Sequence, residues 1–278
     1  MSLSLKRVDL HIHTHASDGQ LSPTAIVNAA VKGKLDVISI TDHDTVNGLH
    51  EALRAAQGQP VTVIPGIELS SHHGENEIHV LGYGVDPDAP SLQAHQALAG
   101  DRRAGRMQEM VRRLQGMGVG VAFEDVLRVA GPEASSLGRP HLARALQQAG
   151  HTRSVGEAFD LYLKDGGSAF VPSQFPSVRE AIDAIHAAGG VAVWAHPALE
   201  VFDREVRTFA GWGLNGIECL RPKTPPVESM LFEQAARDMG MFRTGGSDWH
   251  GPHSGRLGDW CVRGDDVRDF LAARGLAD

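Results

Sequence analysis

Cysteine is nearly absent from this chain of 278 residues: Cys219 and Cys261 are the only two. They lie far apart and in no ligand spacing, which excludes a disulfide framework and a thiolate zinc site and predicts a reducing compartment. Aromatic residues make up only 5% of the chain, ordinary for a soluble enzyme. No apolar run approaches the length of a membrane span. The first residues lack the apolar core of a secretory leader, so a cytoplasmic location is expected. A surplus of positive charge is missing too. The formal net charge is −8, which argues against general affinity for nucleic acid or anionic membrane and against DNA sequence recognition.

Histidine is abundant, with 15 in the chain. Three of them stand in the stretch Asp9-Leu10-His11-Ile12-His13-Thr14-His15-Ala16-Ser17-Asp18-Gly19. The apolar residues Leu5, Val8 and Leu10 before it read as a first buried strand. Ser22-Pro23 after it reads as a helix start, with Ser as N-cap and Pro at the first helical position. In a strand, His11 and His13 point to one face, which suits a divalent metal. Gly19 permits a sharp turn that can bring the Asp18 carboxylate back to the same place.

The pattern then repeats: apolar strand, polar residue at its end, helix. Asp36–Thr41 is a buried strand followed by Asp42-His43-Asp44, and 47–56 a helix. Residues 61–67 form a third strand ending in Glu68, and 77–83 a fourth that carries His79. After residue 168 come strands at 191–195, 216–220 and 242–246, followed by His196-Pro197 and Ser247-Asp248-Trp249-His250. The helices between them cover 177–188, 204–212, 226–239 and 267–273. About seven mostly parallel strands are expected.

Residues 99–168 break this alternation. Amphipathic helices at 101–114, 123–129, 139–148 and 155–163 follow one another with no strand between, so this block is expected to be an inserted subdomain on a barrel formed by 1–98 and 169–278. Residues 100–153 hold nine arginines, no lysine and five acids, a local +4 that leaves −12 for the rest. A basic cap on an acidic body suggests an anionic ligand, because guanidinium matches phosphate bidentately.

The polar residues at strand ends are metal-ligand types from different strands. In a barrel those ends converge on one mouth. They exceed what one ion needs and fit two or three divalent ions. Imidazole and carboxylate without thiolate suit manganese, zinc or iron, with magnesium also open. Elsewhere, Asp42 and Asp44 read as supporting or capping groups. His15 could line a pocket or belong to the turn. His72 and His73 read as a polar surface turn, and Arg102, Arg103 and Arg106 as exposed charges. Trp249 and Trp260 read as packing, and His50, His95, His151, His186 and His253 as having no part in the site.

His11-x-His13 with Asp18-Gly19, Thr41-Asp42-His43-Asp44, Pro65-Gly66-Ile67-Glu68, His79, Ala195-His196-Pro197 and Gly246-Ser247-Asp248-x-His250 together resemble the motifs of the PHP (polymerase and histidinol phosphatase) family. The resemblance extends into the insert through Leu137-Gly138-Arg139-Pro140-His141 and is closest to the nucleotide-directed branch. It implies a distorted (β/α)7 barrel with an all-helical insertion over the active site and three metal ions. Carried over by position, one ion takes His11, His13, Glu68 and Asp248. A second shares Glu68 and adds His79 and His196, and a third takes Asp18, His43 and His250.

The implied activity is phosphoric monoester hydrolysis. Divalent metals lower the pKa of bound water to roughly 7, so hydroxide is available near neutrality. His196 and Asp248 would act through that water. Arg139, opening a helix beside Ser135 and Ser136, is the expected clamp for a second phosphate. Ser135, His141, Lys164 and Arg221 are further substrate-binding candidates. The expected substrate is a nucleoside 3′,5′-bisphosphate cut to the 5′-monophosphate. Alternatives are 5′–3′ exonuclease action on short RNA, a histidinol-phosphate-type small monoester, and metal-dependent amide hydrolysis.

Overall fold

The computed structural model describes residues 6–276; Leu5, expected in the first strand, lies outside them. Eight strands form one sheet in the order β7-β6-β5-β4-β3-β2-β1-β8. They are β1 (Arg7–Ile12), β2 (Val37–Ile40), β3 (Thr62–His73), β4 (Asn76–Tyr83), β5 (Val191–Trp194), β6 (Gly216–Leu220), β7 (Phe242–Gly245) and β8 (Val262–Arg263). The sheet curls until its ends nearly meet. Beyond β7, the His13 amide donates to the Trp249 carbonyl at 2.9 Å and the Trp249 amide to the His11 carbonyl at 3.3 Å. A Cβ at Gly246 would lie 2.2 Å from the His11 Cβ, so only glycine lets the two segments close.

The chain departs from the expected barrel at two places. β8 is an added short strand, antiparallel to β1. The third strand does not end at Glu68. It runs on to His73 and turns back as β4 in an antiparallel hairpin, with Ser70 opposite His79. Gly74 at φ 59° makes the two-residue turn, a conformation glycine adopts without strain. β4 is also antiparallel to β5. The β1–β2–β3 and β5–β6–β7 neighbours remain parallel. His72 and His73 therefore lie on a strand rather than in a polar turn. His73 packs against Phe209 and Trp212 and pairs with Glu205 at 3.0 Å.

Helices cover the outside: α1 (Pro23–Lys32), α2 (Leu49–Ala55), α3 (Pro90–Gly116), α4 (Phe123–Ala130), α5 (Arg139–Gln148), α6 (Val155–Ala158), α7 (Val178–Ala187), α8 (Leu199–Gly211), α9 (Pro226–Asp238) and α10 (Arg268–Ala273). α1 starts as its sequence dictates, with Pro23 in the first turn and the Ser22 hydroxyl accepting from the Ala25 amide. Ile26, Val27 and Ala30 face the core cluster that spreads over the sheet to Ile38, Ile67, Ile182 and Phe209. Each valine or isoleucine among them contributes about 1.5–3 kcal/mol by leaving water.

The helical block has its own apolar cluster, including Met107, Met110, Leu114, Val126, Leu142, Leu146 and Leu163. Its first helix begins earlier than expected, so position 99 falls inside α3. The reason is visible in Leu92, buried in the barrel's cluster, and in the Ser91 hydroxyl bonded to the Ala184 carbonyl. One helix thus serves both cores. The helix expected over 155–163 is α6 continued as a π-helical turn, Phe159–Leu163.

Candidate metal centre

His11 is the last residue but one of β1, and His13 follows it on the same face. The turn after them is pinned from below by Asp42, whose carboxylate accepts from the Thr14 amide, the Thr14 hydroxyl and the Ser17 hydroxyl, each at 2.7 Å. This turn places Asp18 3.3 Å from His250 Nε2 and 3.9 Å from His13 Nδ1. Asp42 is thus a supporting group, as expected.

Glu68, fully buried in the middle of β3, is the hub. Its Oε1 lies 2.9 Å from both His79 Nδ1 and His196 Nε2. Its Oε2 lies 3.2 Å from His11 Nε2, 3.3 Å from His13 Nε2 and 3.0 Å from His43 Nδ1. Asp248 Oδ1 lies 3.2 Å from His13 Nε2 and 3.4 Å from His11 Nε2. The rings of His13 and His250 stack with centroids 4.0 Å apart. Asp44, His196 and Asp248 have φ of 53°, 32° and 53°, unfavourable for non-glycine residues and typical of strain held at a site.

Donor atoms gather in three groups within 4.8 Å: His13, Asp18, His43 and His250; His11, His13 and Asp248; His43, Glu68 and His79. His196 Nε2 stands beside the last group, 3.2 Å from His79 Nδ1. All nine expected ligands therefore meet at one mouth, and His13 and His43 each stand in two groups.

These residues fit divalent cations. His13 Nε2 is near two carboxylates but in line with neither, so both its ring nitrogens are buried without a hydrogen bond, as is His43 Nδ1. Burial alone would raise the carboxyls of Asp18, Glu68 and Asp248, yet the surrounding imidazoles hold all three well below the usual carboxylate range. Burial pushes His43 down to about 3, leaving a neutral ring with a lone pair to give. Ionised carboxylates and unpartnered imidazole nitrogens in one buried place are the donor set of hard-to-borderline divalent ions.

A second layer was not foreseen from the sequence. Glu218, buried in β6, accepts from His11 Nδ1 at 2.8 Å through one oxygen and from the His196 amide at 2.8 Å through the other. The signal was present as a charge inside the apolar run Gly216–Leu220. Glu77 Oε1 lies 3.2 Å from His79 Nε2 and its Oε2 accepts from Ser173 at 2.6 Å. Such contacts fix which ring nitrogen faces the ions.

Arg103 and His95 also depart from expectation. Neither is a surface group. Asp44, next to His43, accepts from His95 Nε2 at 2.8 Å and from Arg103 Nε at 2.8 Å. Burial raises the Asp44 carboxyl, but Arg103 and His95 outweigh it and hold it well below its usual value. Arg103 also donates to the Ser70 hydroxyl and the Leu137 carbonyl. It ties the metal loop, β3 and the insert together.

Of the substrate candidates, Ser135, Arg139, His141 and Arg221 come from segments that touch this centre. A Cβ at Gly138 would lie 2.9 Å from Asp18 Oδ2, so the start of α5 presses on the metal cluster. Arg139 donates to the Leu163 carbonyl at 3.1 Å and to Asp165 at 2.6 Å, against the faces of Phe159 and Phe170. The Ser135 hydroxyl accepts from Asn47 and its amide donates to the Ala16 carbonyl. His141 is buried rather than on the helix surface. Its Nδ1 accepts from the Gly138 amide at 3.0 Å, and burial lowers its pKa to about 4. Lys164 is exposed after the π-helical turn. Arg221, following β6, lines a cleft with Asp248 and His250. His15 lines another with Asp18.

A barrel mouth of this construction defines a metal-dependent phosphoesterase. Residues 9–127 match the PHP domain. The chain is 34% identical over 256 residues to a 5′-3′ exoribonuclease of Haemophilus influenzae, covering 89% of this chain and 91% of that one. It is 32% identical over 257 residues to a 3′,5′-nucleoside bisphosphate phosphatase of Chromobacterium violaceum, covering 90% of each. A solved metal-dependent phosphoesterase from Bifidobacterium adolescentis superposes with a TM-score of 0.87 at 30% identity, over 96% of both chains. The chain belongs to the PHP family.

Proposed function

We propose that this enzyme hydrolyses the 3′-phosphate of nucleoside 3′,5′-bisphosphates, giving the nucleoside 5′-monophosphate and inorganic phosphate. The observation that carries this reading is the contact of Gly138 with Asp18, which brings Arg139 within one residue of the metal cluster. A substrate with a phosphate at the metals then has a guanidinium near for its second phosphate. The relatives named above support a nucleotide substrate.

The nine ligands are proposed as His11, His13, Glu68 and Asp248 for one ion, Glu68, His79 and His196 for a second, and Asp18, His43 and His250 for a third, manganese being the expected metal. Bound divalent ions would supply an activated water and neutralise charge on the phosphoryl group. The protein's own residues do the rest. Glu68 spaces the imidazoles, Glu218 and Glu77 orient them, and the 99–168 insert covers the mouth. Arg139 trades its hydrogen bond to the exposed Asp165 carboxylate for the substrate's phosphate. Ser135, His141, Lys164 and Arg221 would serve as secondary contacts to the substrate. We place the reaction in the cytoplasm.

The test is a phosphate-release screen over mono- and bisphosphorylated nucleotides with manganese, using wild type and Arg139→Ala. The preference for the bisphosphate over a simple aryl phosphate should fall by roughly 10- to 150-fold in the variant, the scale of a charge-assisted hydrogen bond. Equal losses on both substrates would remove the clamp from the reading. A second reading, stepwise 5′–3′ removal of nucleotides from short RNA, is favoured by the cleft that Asp248 and His250 line together with Arg221, Lys223 and Arg256. An oligonucleotide turned over faster than the bisphosphate would select it. Free histidinol phosphate and an amide substrate in the same screen separate the remaining alternatives.

A further inference from the structure

A cleft of about 970 Å³ opens between the insert and the turn that carries Asp18, and it is bordered by Asp18 and His250 of the metal cluster. Its wall on the insert side is apolar, formed by Val129, Val155 and the ring of Phe159. Its polar rim carries the amides of Gln20, Gln147 and Gln148, all exposed, together with the imidazoles of His15 and His253 and the Ser154 hydroxyl. Each amide offers both donors and an acceptor. The cleft's arginine, Arg144, is already engaged within the wall, donating to the carbonyls of Asp18 and Pro140. Such a lining suits a flat, neutral heterocycle with hydrogen-bonding edges better than it suits a phosphate.

The Phe159 ring adds a geometric condition. It lines this cleft and also carries the Arg139 guanidinium over it, 5.9 Å from the centroid. One aromatic side chain is therefore the partition between the phosphate clamp and the cleft. A nucleotide has its base and its 5′-phosphate on one sugar, so its two sites must adjoin. We propose that this cleft is the nucleobase site, with Phe159 as the stacking surface and Gln147, Gln148 and Gln20 as the groups that read the base edge. The proposal rests on the nucleotide reading above and extends it to the part of the substrate that does not react.

The experiment compares adenosine 3′,5′-bisphosphate with ribose 3,5-bisphosphate, which lacks the base, in wild type, Phe159→Leu and Gln148→Ala. Binding of adenosine 5′-monophosphate against ribose 5-phosphate is measured on the same proteins by calorimetry. Wild type should prefer the base-bearing member of each pair. Phe159→Leu should reduce that preference at least roughly fivefold, as loss of base stacking does, and Gln148→Ala should reduce it less. Gln148 is on the surface and keeps the test valid if Phe159→Leu folds poorly. Wild-type preference near one, or variants that lose both members equally, overturns the cleft assignment. If neither bisphosphate releases phosphate while the binding preference exists and is erased by the variants, the reaction reading fails and the base site stands.

Discussion

The barrel mouth and the insert use charge in opposite ways. At the mouth, Glu68 and Asp18 are buried and Asp248 is half-buried among His11, His13, His43, His79, His196 and His250, and each group constrains several others. On the insert four of the nine arginines answer to one local acid each. Arg112 and Arg113 pair with Glu109, Arg128 with Asp125, and Arg153 with Glu157, all within one or two helical turns and facing water. Those pairs are screened and contribute little. Arg103 does the opposite, leaving the insert's surface to enter the barrel's network. Dense mutual burial, rather than the number of charges, marks where removal of one group is costly.

The sharpest way to break that contrast is Glu68. Glu68→Gln keeps the shape and removes the negative charge shared by the imidazoles. kcat/KM for phosphate release should fall by on the order of 10³, the scale seen when one preorganised electrostatic group is lost from a water-excluded site. Metal bound after dialysis should fall with it. A loss under tenfold would mean that Glu68 is not the hub.

Arg103 comes next and is measured as stability. Replacing it by Met leaves the Asp44 carboxylate buried beside His95 without its main partner. Breaking such a pair costs about 3–5 kcal/mol, read as a lowered urea midpoint. Asp44→Asn in the same chain should restore part of the loss, because the two positions are coupled. Additive losses would place Arg103 with the surface arginines after all.

His141 sharpens the comparison from the insert side. Its folded pKa, lowered by burial, is about 4, against roughly 6.5 in an unfolded chain. Above that value neither state is protonated. As pH falls from 6.5 towards 4 the unfolded chain takes up the proton and the folded one does not, so stability declines across this window and levels off below it. His141→Asn keeps an acceptor for the Gly138 amide but does not titrate. The difference between wild type and variant in unfolding free energy, from urea titrations, should therefore open by about 3 kcal/mol across the window. A constant difference would show that His141 is not neutral in the fold.

The same contrast explains what could be read from the sequence. Metal-ligand types at the ends of apolar runs are conspicuous, because burial there is costly without a partner. His11, His43, His196 and Asp248 were legible for that reason. The strand that continues past Glu68 was not, because Ser70-Ser71-His72-His73 looks polar although Ser70 and Ser71 are buried against the return strand. Arg103 was illegible because an arginine in a helix does not announce its exposure. Its partner Asp44 is 59 residues away, and only the folded barrel brings them together.

Glu218 tests whether that mutual constraint extends behind the ligands. One carboxylate holds the His11 side chain and the His196 backbone, which belong to two different proposed ion positions. His196 sits at φ 32°, a conformation that needs such an anchor. Glu218→Ala should weaken metal binding by about 10–100-fold, measured by competition with a chelating dye. In Glu218→Gln the amide can face His11 or His196 with its oxygen but not both. One partner then meets an N–H group where it needs an acceptor. The Gln variant should therefore weaken one ion position while sparing the other, and the dye titration should separate into two steps. A Gln variant that titrates like wild type would show that the barrel alone holds both histidines, and the second layer would drop out of the comparison.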